Sequence, residues 1–283
     1  MKNILVPVGS SDNALSHLQY AVDFAKVFNA KLFIVQVYNV YSKAGTIIKV
    51  DAILEREGKA YLNGLVSQID TKNVDFTVKV LKGNLIDTLK LIGKAAAIDL
   101  ILVEPRTNSV KDEVFLGNTS GKIIKQTQIP ALIIPENYIF RPITRILLAV
   151  KSAILKNESS LNPLLDIKNK FKTVINLLLV KTASYNDGDF NINESLKAIV
   201  TNITETENVT PFQGVLEPYK SHDPDILCVV RRNRGFFIKK WENIVDSVEI
   251  QKESSIDFYK EFDDSVDSAN EKKLKKYNCN QPW

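Results

Sequence analysis

Asn3–Val8 (NILVPV) is an apolar run that stops at Gly9. Consecutive rather than alternating apolar positions suit a strand buried on both faces of a parallel sheet. Leu15, Leu18, Val22 and Ala25 then recur at helical spacing. Ser10, Ser11 and Asp12 stand just before them and offer N-cap oxygens. Lys31–Val37 (KLFIVQV) is a second strand, and a polar, helix-compatible stretch covers about residues 52–69. Asp75–Lys82 alternates as a third strand, and Leu85–Ala97 has a helical pattern. Asp99–Val103 is a fourth strand, Gly117–Gln126 a helix and Pro130–Pro135 a fifth strand. Strands and helices in strict alternation predict an α/β fold: a doubly wound parallel sheet with helices on both faces.

The pattern then restarts. Thr144–Val150 (TRILLAV) echoes Lys2–Val8, Lys170–Val180 echoes Val27–Val37, and Asp225–Arg232 echoes Asp99–Arg106. Ile146 lies 142 residues beyond Ile4, but Asp225 only 126 beyond Asp99, so the second copy has lost about 16 residues between these points. Val209–Pro218 predicts its third strand. Only Tyr219–Pro224 then separate that strand from the fourth, too few for a helix, so the third crossover helix is expected to be missing. Ser255–Phe262 is the expected fifth strand. The organisation expected is a domain over residues 1–138, a degenerate second copy over 143–262 and a polar tail over 263–283.

Composition narrows the picture rather than changing it. The 283 residues are 45% hydrophobic and 25% charged, with a net charge of +4, values of a globular protein without a strong pull towards nucleic acid. No apolar run approaches the roughly 18 residues of a membrane span. The N-terminal run is too short for a signal peptide and reads as a strand, so a cytoplasmic location is expected. Cys228 and Cys279 lack CxxC spacing or a neighbouring histidine, which argues against a metal or redox centre. His17, on a helix, and His222, in a turn, accompany no nucleophile elbow and no H-E-x-x-H. Solvated or capping roles are expected for both, with no catalytic residue and no enzyme activity. Arg231–Trp241 interleaves cations with Phe236, Phe237 and Trp241, a pattern that suits either single-stranded nucleic acid or a loop anchored on the body. No nucleic-acid module surrounds it, so nucleic acid is not an expected partner.

In a doubly wound sheet, ligands bind at the carboxyl ends of the strands where strand order reverses. That edge brings Pro7, Val8 and Gly9 opposite Val103 and Glu104. Gly117 opens a helix whose free N–H groups suit an anion, and Asn118 or Thr119 is placed to cap it. Two readings of Gly117 stand: one donor set of a phosphate cradle, or a turn with Asn118 as its cap. GNTSGKI (Gly117–Ile123) is not a P-loop, because three residues rather than four separate the glycines and Ile123 follows Lys122.

The opening strand-helix-strand over residues 3–37 and the closing segment, DLILV followed by LGNTSGKIIKQTQIPALIIP, resemble a universal stress protein domain over about residues 1–135. The second half resembles a degenerate further copy, as in tandem members. The resemblance implies strand order 3-2-1-4-5, a stress-response role and a dimer, with ATP bound by those members that carry G-x2-G-x9-G-[S/T]. Counted back from Gly117, the first two glycines of that motif fall on Glu104 and Thr107, and Asn118 follows Gly117. The acid expected after the first strand is Gly9. Pro7, Val37 and Val103 keep the character of the adenine- or ribose-side positions. The resemblance therefore implies the branch that holds no nucleotide and has no cofactor, acting on an unknown protein partner. A homo-oligomer or an intramolecular pseudo-dimer paired through the last strands is expected. The alternatives are ATP or AMP held at the Gly117 helix, and an enzyme of the related nucleotide-alpha-hydrolase type.

Overall fold

The computed structural model describes residues 1–39, 50–105, 118–155, 158–182, 185–209, 211–231 and 247–251. The first half runs β1 (Asn3–Pro7), α1 (Ala14–Phe28), β2 (Lys31–Tyr38), α2 (Val50–Val66), β3 (Phe76–Lys82), α3 (Leu85–Ala95), β4 (Leu100–Val103), α4 (Asn118–Thr127) and β5 (Ala131–Ile133). The second runs β6 (Arg145–Val150), α5 (Asn162–Phe171), β7 (Val174–Lys181), α6 (Glu194–Ile199), β8 (Asn202–Glu207), α7 (Pro211–His222), β9 (Ile226–Arg231) and β10 (Ser247–Gln251). All ten strands form one sheet in the order β3-β2-β1-β4-β5-β10-β9-β6-β7-β8. The first five are parallel in the order 3-2-1-4-5. The second set, β9-β6-β7-β8, is also parallel. β10 joins them, parallel to β5 and antiparallel to β9, so the two sets run in opposite directions.

The sequence echo has a structural cause. Asp99, just before β4, accepts the amides of Lys2 and Asn3 at 2.6 and 3.0 Å. Asp225, just before β9, accepts those of Thr144 and Arg145 at 2.8 and 3.0 Å. Each carboxylate pins the start of one strand to the start of its neighbour. The helix exits repeat as well: α1 ends at Asn29 (φ 51°) and α5 at Lys172 (φ 59°), both in the left-handed region. Asn tolerates that conformation readily, whereas Lys pays for it in strain.

The missing residues lie elsewhere than the pattern suggests. β1 to β2 and β6 to β7 are each separated by 23 residues, 8–30 and 151–173. The third crossover is also conserved, 17 residues (83–99) against 18 (208–225). The second falls from 37 (39–75) to 20 (182–201), which leaves α6 six residues long where α2 has 17. Residues 209–218 are therefore not the third strand. Most of them belong to α7, and the strand is the polar β8, an edge strand with one neighbour. Polarity hid β8, and Pro211 and Pro218 hid α7. Pro211 is the first helical residue, where a missing N–H costs nothing. Pro218 leaves the carbonyl of Gly214 without its helical donor, and the Thr206 hydroxyl supplies one at 3.0 Å. The segment expected as the fifth strand, 255–262, and the tail, 263–283, lie outside the described residues; the strand observed after β9 is β10.

The core binds the halves together. On one face of the sheet a single apolar cluster runs from Ile4, Leu18 and Leu32 through Ile146, Leu164 and Ile175. Aromatic rings line the seam: Phe140 meets Phe24 edge-on at 5.9 Å and Phe171 at 6.3 Å, and Phe28 meets Phe171 edge-on at 5.9 Å. The opposite face carries two separate clusters, one beneath α3 and α4 and one beneath α7.

Candidate functional site

The carboxyl ends of β1 and β4 meet as the topology requires, through Leu5 paired with Ile101. Val103 is buried at the end of β4, and Val37 packs on the same cluster from β2. Val8 is buried on the other face, and its amide donates to the Val35 carbonyl at 2.8 Å. Pro7, the last residue of β1, pairs with Val35. These apolar positions thus serve the core first.

The polar groups are arranged around Glu104, which is 6% exposed. The Ser11 hydroxyl donates to Glu104 Oε1 at 2.7 Å. The Ser120 hydroxyl, in the first turn of α4, donates to the Glu104 backbone carbonyl at 2.6 Å. α4 is thereby anchored to the end of β4 by a side chain of its own. Tyr61, from α2, donates to the carbonyl of Gly9 at 3.0 Å. Beside Glu104, a hollow lined also by His17 and Tyr138 is too small to admit a water molecule.

Two expectations change here. Ser11 does not cap α1: the residue before the helix is Asn13, with no side-chain cap, and Ser11 is spent on Glu104. His17 is not solvated but 4% exposed, on the inner face of α1. His222 closes α7, its ring nitrogen Nδ1 2.8 Å from the Pro218 carbonyl, as the expected capping role requires. Asn118 and Thr119 begin α4, and Thr119 is half-buried. Thr107, Gly117 and residues 232–241 of the cationic stretch lie outside the described residues. The pattern of residues missed Tyr61 and Ser120. Neither carries a local signal, because one meets Gly9 across 52 positions and the other meets Glu104 across 16.

Among the described residues no group of three or more His, Cys, Asp or Glu is placed to hold a metal ion. Cys228 is buried in β9. No described helix is long and apolar enough to cross a membrane.

A doubly wound sheet of order 3-2-1-4-5 with its cleft at the β1/β4 edge defines the nucleotide-alpha-hydrolase-like class. The universal stress protein family model matches residues 1–135. A universal stress protein of Methanocaldococcus jannaschii is 22% identical over 140 residues, 48% of this chain and 82% of that protein. The fold of the whole chain is matched by a universal stress protein from Archaeoglobus fulgidus, with TM-score 0.63 and 14% identity over 88% of this chain and 97% of the other. A putative universal stress protein from Pseudomonas aeruginosa UCBPP-PA14 gives TM-score 0.55 and 14% identity over 93% and 97%. Residues 1–135 are thus similar to a universal stress protein domain, and the fold of the chain as a whole is similar to that of universal stress proteins.

Proposed function

We propose that this chain acts in the stress response through protein contact and holds no nucleotide. The observation that carries the reading is Glu104, an acidic side chain fixed by Ser11 at the edge where a phosphate would lie. A nucleotide triphosphate brought there would meet a like charge in a partly dry site, where Coulomb repulsion is several times stronger than in water. The Cβ of Glu104 also removes the close backbone approach that glycine permits. Ser120 is already committed to a carbonyl, and the hollow beside Glu104 excludes even water.

The reading extends to assembly. The two halves share one sheet and one core face, so each covers surface that a single copy would expose. The second half takes the place of a second subunit, and the partner is another protein rather than nucleic acid or membrane. The chain carries out no catalysis of its own.

Calorimetric titration of the full chain with ATP–Mg and with AMP tests the nucleotide reading. No heat beyond dilution is expected up to millimolar ligand. Saturable binding that Gly117→Val abolishes would establish the opposite, a nucleotide site at the start of α4.

A further inference from the structure

The shortened second crossover leaves part of the sheet open. In the first half α2 lies along β3 and closes its outer face. Leu62 is fully buried and Val80 is 8% exposed. Gly58 passes so close that a Cβ there would stand 2.9 Å from Val80 Cγ1. Asp51, in the first turn of α2, pairs with Lys82 at 2.6 Å. In the second half α6 has only six residues and packs on α5 instead. Six helical residues reach about 9 Å, against about 26 Å for a helix of the length of α2.

The register fixes what the short helix leaves uncovered. β2 and β7 each have eight residues, and each pairs with an edge strand of the sheet. Lys82 stands beside Tyr38, the last residue of β2, and Glu207 beside Lys181, the last of β7. Two residues earlier Val80 corresponds to Glu205, and two before that Val78 corresponds to Ile203. Ile203 and Glu205 lie beside Leu177 and Leu179 of the shared core cluster, so Ile203, Glu205 and Glu207 line that face of β8. Ile203 is 50% exposed, and Glu207 is exposed. Lys181 Nζ reaches Glu205 at 2.7 Å and lies over the rings of Tyr185 and Phe190. Two acids against one cation leave this end of β8 negative. The corresponding end of β3 is basic and takes an acid from its helix.

We infer, on the reading that the chain acts through protein contact, that this face of β8 docks a basic amphipathic helix of a partner protein, seated as α2 is seated on β3. The first half supplies the template. A cation in place of Asp51 meets Glu207. A small residue seven positions on, where Gly58 stands, lets the helix approach the strand closely. An apolar residue eleven positions on, where Leu62 stands, continues the same helix face towards Ile203. A second copy meeting this face with its own would set glutamates against glutamates, which disfavours it as the occupant.

The probe is a fluorescein-labelled peptide of the α2 sequence, residues 50–66, carrying Asp51→Lys. Titrated with the full chain at low salt, it is expected to give a saturable rise in fluorescence anisotropy that weakens as salt is added. The unchanged α2 peptide is expected to bind about fivefold more weakly, the factor given by one exposed pair turned from attraction to repulsion. Glu207→Lys in the chain is expected to reverse that order, which misfolding would not do. Ile203→Asp is expected to weaken both peptides. Circular dichroism melts check that each variant is folded. No saturable binding of the Asp51→Lys peptide, or an order that Glu207→Lys leaves unreversed, overturns the inference. A doubled mass of the chain alone in light scattering, abolished by Glu207→Lys, overturns it in favour of a second copy. Peptide binding that appears only once Lys272, Lys273, Lys275 and Lys276 are changed to Glu overturns it in favour of the chain's own tail. Heat on ATP titration with the peptide order intact would sink the nucleotide-free reading alone.

Discussion

Ser11 and Glu104 lie 93 positions apart in the chain and 2.7 Å apart in the fold, the serine hydroxyl donating to the carboxyl of the glutamate. The bond crosses the edge where β1 and β4 end, and so ties the loop after one strand to the loop after the other. It also decides what that edge can accept, because the serine oxygen and the acidic group face each other rather than a ligand.

Ser11→Ala removes that donor from a buried acceptor. Such losses cost about 1–3 kcal/mol. Urea denaturation is expected to show a lowered midpoint with an unchanged slope. Glu104→Gln keeps the volume and an acceptor for Ser11, and is expected to cost less than about 1 kcal/mol. If the two variants are equally unstable, the bond is not what holds the edge.

Asp225 makes the start of the second half sensitive to acid. Partial burial pushes its carboxyl up, but the hydrogen bonds from the Thr144 side chain, the Thr144 amide and the Arg145 amide, with the charge of Arg141, outweigh this and hold it below the usual range. A depressed folded-state value means stability that is fully present above the ordinary carboxylate pKa and is lost as pH falls through the lower, folded value. Asp225→Asn is expected to cost about 1 kcal/mol at neutral pH, after discounting for partial exposure. It is also expected to flatten the loss of stability below about pH 4. Melting curves at steps from pH 7 to pH 3 check both; a variant that tracks the wild type through the acid range would remove Asp225 from the account.

Gly214 is required by contact rather than by backbone angle. A Cβ there would stand 2.4 Å from Val180 Cγ1 and 3.1 Å from the Thr206 hydroxyl, under the turn of α7 that Pro218 already weakens. Gly214→Ala is expected to destabilise by about 1–3 kcal/mol, the cost of overpacking. Gly64 in α2 has open space around it, and Gly64→Ala is expected to stabilise by up to about 1 kcal/mol. Opposite shifts in denaturation midpoint are the expected result.

The aromatic seam predicts that the halves unfold together. Phe28 and Phe171 meet edge-on at 5.9 Å, one from each half. A double-mutant cycle to alanine is expected to give a coupling of about 0.5–1.5 kcal/mol. Wild-type unfolding followed by near-ultraviolet circular dichroism, to which the aromatic rings contribute, and by far-ultraviolet circular dichroism is expected to coincide in one transition. Two separated transitions would show that the shared core does not couple the domains.

Apolar runs were enough to place β1, β2, β4 and β5, because central strands buried on both faces are apolar throughout, while β3 showed by alternation and α1 by helical spacing. The repeat was equally visible, since Asp99 and Asp225 serve equivalent backbone amides, those of Lys2 and Asn3 and of Thr144 and Arg145, and stand at the same point of the pattern. Glu104 and Thr107 could be identified as misfits by register alone, a matter of counting from Gly117. The rest required the fold. β8 is an edge strand, solvated enough to be polar, and so carries no apolar signal; α7 tolerates Pro218 only because Thr206, on that strand, satisfies the freed carbonyl. The bonds of Ser11 to Glu104 and of Tyr61 to Gly9, the reversal of β10 and the fusion of both halves around one core arise from groups distant in sequence. Local pattern reports which face of an element is buried. Only the tertiary structure decides what it is buried against, because that depends on chain segments the pattern does not connect.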